Sequence, residues 1–215
     1  MGTIRRRPQP QLEIGDPALI FDLGLTDQTD LIDKISGRSV TIPSTSFFFW
    51  DTSHQAWSAM GTSAIANSAR ISGLDLRALD GTPLFATNQP HKTHTLEFEC
   101  YPVSGPGSIY MLRHGPAVTG SMTGIFRSYS TPGVEFLAQR KWFLFKKVID
   151  IDNLTHTQYN DGNLAFQLAI EPNQLITSAA TTSDEIHFTN TQWGDGSSGV
   201  KLLFRNIKIY NKAIY

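Results

Sequence analysis

Hydrophobic and polar positions alternate along most of this chain with a period of two, which is the spacing of half-buried strands and not of helices. Residues 94–103 show it most plainly: Leu96, Phe98 and Cys100 fall on one side, Glu97 and Glu99 on the other. Residues 18–23 are a compact apolar run suited to a buried strand, and residues 39–42 are a second short strand closed by Pro43. Around Trp57 and Met60 the alternation dissolves, so residues 44–67 read as a strand plus a long irregular insertion. Alternation restarts at 69–76, before the strong turn signal Asp80-Gly81. Short strands follow at 108–113, 124–129 and 134–139, separated by Gly and Pro. Residues 141–150 are apolar on both faces, as expected of a central strand covered on both sides. The turn Asn160-Asp161-Gly162-Asn163 leads into a strand at 164–170, and strands at 175–177, 185–188 and 200–209 complete the set. Many short strands with a turn every ~8–12 residues predict an all-β fold, a sandwich or jelly roll.

Composition narrows this picture. A chain of 215 residues with 40% apolar and only 17% charged residues suits one all-β domain with a sizeable core. A formal net charge of −1 provides no overall field to gather nucleic acid or an anionic membrane, and no stretch approaches the ~18 apolar residues of a membrane span. Cys100 is the sole cysteine, which excludes an intrachain disulfide and fits a reducing cytosol. The first residues are basic but no apolar signal-peptide region follows. Residues 1–16 read as an extended N-terminal arm, with Arg5, Arg6 and Arg7 beside Pro8, and residues 17–215 as the folded domain. The arm is expected to dock on an acidic neighbouring chain or to remain a solvated tail.

Three segments carry a resemblance. Leu19-Ile20-Phe21-Asp22 followed by Asp33-Lys34-Ile35-Ser36-Gly37, the strand from His94 to Pro102, and the ending Arg205-Asn206-Ile207-Lys208-Ile209-Tyr210-Asn211 occur in the order found in concanavalin A-like and laminin-G-like jelly rolls. The chain resembles that family from about residue 18 to Tyr215, with the 44–67 segment departing from the pattern. The resemblance implies a single jelly-roll β-sandwich whose last strand pairs near the first, with Tyr215 at the end of a paired edge and no further module beyond it. Members include carbohydrate-binding modules, polysaccharide hydrolases, and adhesion and virion components. Bacteriophage tail and capsid-surface proteins are similar in carrying such domains behind a short arm.

Candidate chemistry is sparse. Glu97 and Glu99 share a strand face roughly 7 Å apart, a separation that could suit an acid and a base in glycoside hydrolysis. The spaced acidic signature of the family's glucanases is absent here, so a solvated sheet face is the expectation. His91 and His94 are three apart, but no third ligand stands at a zinc-like interval. Asp27 with Asp30, and Asp150 with Asp152 and Asn153, offer oxygen donors without a regular calcium loop and read as turn formers. Trp193 with Asp195, in the Gly/Ser-rich loop 194–199, combines an aromatic with a carboxylate and suits sugar stacking; Tyr129, Trp50 and Trp57 could reach the same rim or lie in the core. The basic pairs Arg140-Lys141 and Lys146-Lys147 are expected at the ends of a buried strand, not as a nucleic-acid surface. No nucleophile elbow or phosphate-cradling loop occurs.

These readings converge on a non-enzymatic virion component, without cofactor or metal, that docks through Arg5, Arg6, Arg7 and Pro8 onto other virion proteins and copies of itself. Its localisation would be the virion. The alternative is a carbohydrate-binding lectin-like module using Trp193, Asp195 and Tyr129 on a host-surface glycan; a glycan hydrolase using Glu97 and Glu99 ranks below both.

Overall fold

The computed structural model describes residues 16–43, 45–60, 69–84, 92–104, 109–110, 113–116, 129–130, 140–170, 184–188 and 201–215. Among them every regular element is a strand. In chain order these are β1 (Leu19–Leu23), β2 (Phe48–Asp51), β3 (Ala56–Met60), β4 (Ala69–Leu74), β5 (His94–Ser104), β6 (Ile109–Tyr110) and β7 (Arg113–Pro116). They continue as β8 (Tyr129–Ser130), β9 (Phe143–Asp150), β10 (Thr155–Asn160), β11 (Asn163–Ala169), β12 (Asp184–Phe188) and β13 (Lys201–Tyr210).

Eight strands form one antiparallel sheet in the order β11-β10-β9-β5-β13-β3-β2, with β1 also pairing β13. A second sheet runs β4-β12-β7, and β6 pairs β8. The fold is a β-sandwich. Its core lies between the layers: Phe21 and Leu23 of β1, Leu96, Phe98 and Cys100 of β5, Phe143 and Phe145 of β9, and Phe204, Ile207 and Ile209 of β13 meet Ile71 of β4 and Ile186 of β12. Phe98 stacks on Phe145 at 5.4 Å and leans on Phe204 at 6.0 Å, so the pleat of three neighbouring strands is filled by rings. Cys100 is part of this packing, and burial pushes its thiol up out of the range in which it would react.

The closing strand does pair with the first, but it is not an edge. β13 has β5 along one side, while its other side is shared by two partners in succession: β3 opposite Lys201 to Phe204, then β1 opposite Ile207 to Tyr210. The handover falls at a bulge, where Asn206 takes a left-handed φ of 53° and donates its N–H to the Gly24 carbonyl at 2.8 Å. The Asp33-Ser36-Gly37 turn locks β1 from the other end: the Asp33 carboxylate accepts the N–H groups of Asp22, Ile35 and Ser36 together with the Ser36 hydroxyl, and Gly37 has φ of 71°. Asp16, read as the end of the arm, is held to the domain by accepting the Ala18 N–H and by an ion pair with Lys212.

Several expectations need correction. The described part of the 44–67 segment is not irregular but a hairpin, β2 to β3, whose aromatic rows make it strand: Trp57 is buried, stacks on Phe48 at 5.1 Å and donates its indole N–H to the Asp27 carbonyl. Residues 39–42 make isolated bridges to Ile32 and Ser72 in place of a strand. β9 is covered on both faces only over its second half, where Lys147, Val148, Ile149 and Asp150 are all buried; in its first half Leu144 is 44% exposed, and Lys147 is buried inside the strand instead of lying at its end. β10, with the polar sequence Thr-His-Thr-Gln-Tyr-Asn, was not expected as a strand at all; it is sandwiched between β9 and β11, and His156, Thr157 and Gln158 are buried. The turn Asp161-Gly162 joins β10 to β11 with positive φ at both residues, the geometry of a type I′ hairpin. The expected strands at 134–139 and 175–177 lie outside the described residues.

Candidate ligand-binding face

With Leu96, Phe98 and Cys100 turned into the core, strand alternation turns Glu97, Glu99 and Tyr101 to the open face of the large sheet. Register brings them their neighbours. Glu99 lies between Leu144 of β9 and Arg205 of β13, and Glu97 between Lys146 and Lys208. Arg205 donates Nε and Nη2 to one Glu99 oxygen at 2.8 and 2.7 Å, and the Asn206 amide donates to the other at 2.7 Å. Both oxygens of Glu99 are thus committed to positioning groups, and the two glutamates do not stand as a free acid and base across a vacant site. Tyr210 donates its hydroxyl toward Glu97 at 3.4 Å. Its pKa is pushed up to about 12, by burial first and then by the Glu97 charge, so it is a fixed donor through the neutral range.

Aromatic rings border this polar ladder. Trp142, just before β9, lies 5.9 Å from Tyr101, with the Arg205 guanidinium 4.1 Å from its ring centre. Farther along, Lys146 sits 5.1 Å over the ring of Tyr159 on β10. Trp142, Tyr101, Tyr159 and Arg205 are all half-buried, the Trp142 ring meeting both Tyr101 and Arg205 and Tyr159 lying farther along beside Lys146. The result is a cluster of tilted rings beside preset hydrogen-bonding groups, held on neighbouring strands. Chemically it can stack against an apolar ring face and exchange hydrogen bonds with hydroxyls; among the described residues it presents no nucleophile paired with a base.

The residues expected to form sites fare differently. Arg5, Arg6, Arg7, Pro8, His91, Trp193 and Asp195 lie outside the described residues; Tyr129 lies in β8, and nothing of its side chain is described. His94 is buried with its ring nitrogen 2.7 Å from the Lys92 carbonyl. Asp27 accepts the N–H and hydroxyl of Thr29, Asp30 those of Thr26, and Asp150 the backbone and side-chain N–H of Asn153 and the Tyr215 hydroxyl. They are turn residues, and among the described residues no group of three or more His, Cys, Asp or Glu is set to hold a metal. Lys141 pairs with Asp161 at 2.8 Å. Sequence reasoning found Glu97 and Glu99 but missed Trp142, Tyr101 and Arg205; the available signal was their register opposite the glutamates.

The fold is an all-β sandwich, and solved structures share it. The chain is similar to the binding domain of botulinum neurotoxin DC, solved in complex with rat synaptotagmin II, at 11% identity and TM-score 0.60 over 92% of this chain and 49% of that one. It is also similar to botulinum neurotoxin type C, in a structure described as showing that cell entry depends on interaction with two ganglioside molecules, at 10% identity and TM-score 0.57 over 92% and 49%. A third is the serotype D ligand-binding domain in complex with N-acetylneuraminic acid, at 14% identity and TM-score 0.53 over 92% and 48%. The chain spans about half the length of the structures it matches, and at these identities the likeness is one of fold. No family model matches the chain. No curated protein matches it.

Proposed function

We propose that this domain is a lectin-like module that binds carbohydrate through the open face of its large sheet, and that its chemistry is binding and not turnover. The observation that carries the reading is the Trp142, Tyr101 and Arg205 platform beside the fully hydrogen-bonded Glu99. Sugar rings offer apolar faces edged by hydroxyls, and this surface offers rings edged by fixed donors and acceptors. The likeness in fold to a domain solved in complex with N-acetylneuraminic acid, and to a neurotoxin whose cell entry is described as dependent on two ganglioside molecules, supports the reading. The virion role expected from the arm is a separate proposal, because Arg5, Arg6, Arg7 and Pro8 lie outside the described residues; deleting residues 1–15 and measuring partner assembly tests it.

A glycan array tests the lectin reading. Wild type is expected to retain a defined glycan set, and Trp142→Ala to lose it at least tenfold in affinity while its circular dichroism stays native. An array silent for wild type, or binding untouched by Trp142→Ala and Tyr101→Ala, overturns the proposed face. Loss on Trp193→Ala alone would move the ligand to the 194–199 loop.

A further inference from the structure

One row of residues crosses the large sheet beyond the Trp142 cluster. Register sets Leu164 of β11, Tyr159 of β10, Lys146 of β9, Glu97 of β5, Lys208 of β13 and Asp22 of β1 side by side. Strand alternation places the row on the open face, since Leu96 and Phe98 on either side of Glu97 point into the core. Leu164 reaches that face through a bulge in β11. Phe166 and Leu168 stand opposite Gln158 and His156, but the register then shifts, and Leu164 falls opposite Tyr159.

Apolar surface therefore continues past Trp142. Leu144, 44% exposed, stands two residues along β9, with its N–H donated to the Asp161 carboxylate at 2.9 Å. Next come Tyr159, whose ring lies under the Lys146 ammonium, and Leu164, 60% exposed. Four residues of β9 separate Trp142 from Lys146, which is about 13 Å at the rise of a strand. Trp142 and Tyr159 are thus two ring stations too far apart for one sugar ring to touch both, with Leu144 between them.

The charges beside this track are matched within the face. Arg205 pairs with Glu99 and Lys141 with Asp161, while Lys146 and Lys208 flank Glu97 and Lys208 has Asp22 on its other side. Among the described residues the track offers no net field to an acidic or a basic partner. Its apolar surface is also broken by polar groups, which an apolar protein or lipid surface would leave without partners. A chain of sugar rings edged by hydroxyls meets both kinds of group.

We propose that the ligand of this face is an extended, uncharged oligosaccharide, lying along Trp142, Leu144, Tyr159 and Leu164 and stacking at both Trp142 and Tyr159. The proposal rests on the lectin-like reading and narrows it from carbohydrate in general to a linear neutral chain. Its affinity grows with chain length, because the second station adds a linked contact once the chain is long enough to reach it.

The test applies the full chain to an array of linear, uncharged glucan, galactan, mannan and xylan chains graded from one sugar to six, with uronate-containing and sialylated chains beside them. The best ligand is expected to be an uncharged chain of four or more sugars, bound at least about tenfold tighter than its own disaccharide. Tyr159→Ala, and Leu164→Ser at an exposed position, should each remove most of that gain and leave the disaccharide as it was, whereas Trp142→Ala should weaken both. Circular dichroism checks that each variant is folded, and if Tyr159→Ala is not, Leu164→Ser decides. A best ligand no tighter than its disaccharide, binding confined to uronate-containing or sialylated chains, or long-chain binding untouched in the folded variants overturns this inference and leaves the lectin-like reading standing. An array silent for wild type removes both.

Discussion

Replacing Glu99 with alanine probes the joint between fold and face. The substitution leaves the Arg205 guanidinium without its carboxylate and removes the acceptor for the Asn206 amide, at the residue whose left-handed backbone lets β13 change partners. Side-chain exposure of 39% for Arg205 and 23% for Glu99 puts the ion pair near the surface range of ~0.2–1 kcal/mol. A hydrogen bond to a charged acceptor adds ~1.5 kcal/mol or somewhat more. Together the loss should be ~1.5–3 kcal/mol, which for a chain of this length lowers Tm by ~3–10 °C. Urea unfolding followed by circular dichroism, with m unchanged, measures it. Glu99→Gln keeps an acceptor for Asn206 and should cost under ~1 kcal/mol. In a double-mutant cycle, Glu99→Ala and Asn206→Gly should show coupling of about 1 kcal/mol, because they share one bond. A Glu99→Ala variant within ~0.5 kcal/mol of wild type, the usual spread of neutral surface changes, would refute the claim that this carboxylate holds the bulge. So would a Gln variant as damaging as the Ala one.

Other tests address the core and the acid response. Phe98→Ala should cost ~3–5 kcal/mol, because the ring is fully buried between Phe145 and Phe204, whereas Leu144→Ala on the open face of β9 should cost under ~1 kcal/mol; thermal unfolding of the two variants compares them. His156 has its pKa lowered to about 2, by burial first and then by Lys147 and His94, so the folded protein keeps it neutral while the unfolded chain takes up a proton. Its contribution is therefore lost as pH falls below about 6.5, at up to ~1.4 kcal/mol per pH unit, and His156→Gln should flatten urea midpoints between pH 6.5 and 4.5. Asp51 responds lower: burial alone would raise its pKa, but hydrogen bonds from Lys201, His54 and the Ser53 N–H outweigh that and hold it well below the usual range. The stability from Asp51 is thus present above about pH 4 and drains away below it, a loss that Asp51→Asn should remove from the acid titration curve.

The sequence and the structure agree where local pattern decides and part where distant neighbours decide. β5 is legible because each residue's face follows from its own alternation, and the Asp161-Gly162 hairpin because only certain residues take positive φ there. β10 is not legible: Thr-His-Thr-Gln-Tyr-Asn has no apolar side to show, and it is strand because β9 and β11 supply hydrogen bonds on both edges. The described part of the 44–67 segment misled for the opposite reason, since serines and alanines around Trp57 look like a loop until Phe48 stacks on that ring and Trp50 meets it edge-on. The candidate face lies between these cases. Glu97 and Glu99 could be placed on one surface from residue spacing, but Arg205 reaches Glu99 across 106 positions of chain, and Trp142 joins them only through the pairing of β5 with β9 and β13.

The position of β13 also has a consequence for how the chain reaches its native state. This strand is the common partner of β1, β3 and β5, yet it follows β5 by about a hundred residues and β1 by nearly twice as many. During synthesis the three earlier strands wait with their bonding edges open until residues 201–210 leave the ribosome, so the large sheet cannot assemble progressively from the first residue onward. Folding should be slow and nearly all-or-none, governed by long loop closures. A premature stop before Lys201 would leave the β5-β9-β10-β11 sheet and the β2-β3 hairpin unjoined, with β1 unpaired and one edge each of β3 and β5 open to whatever strand they meet.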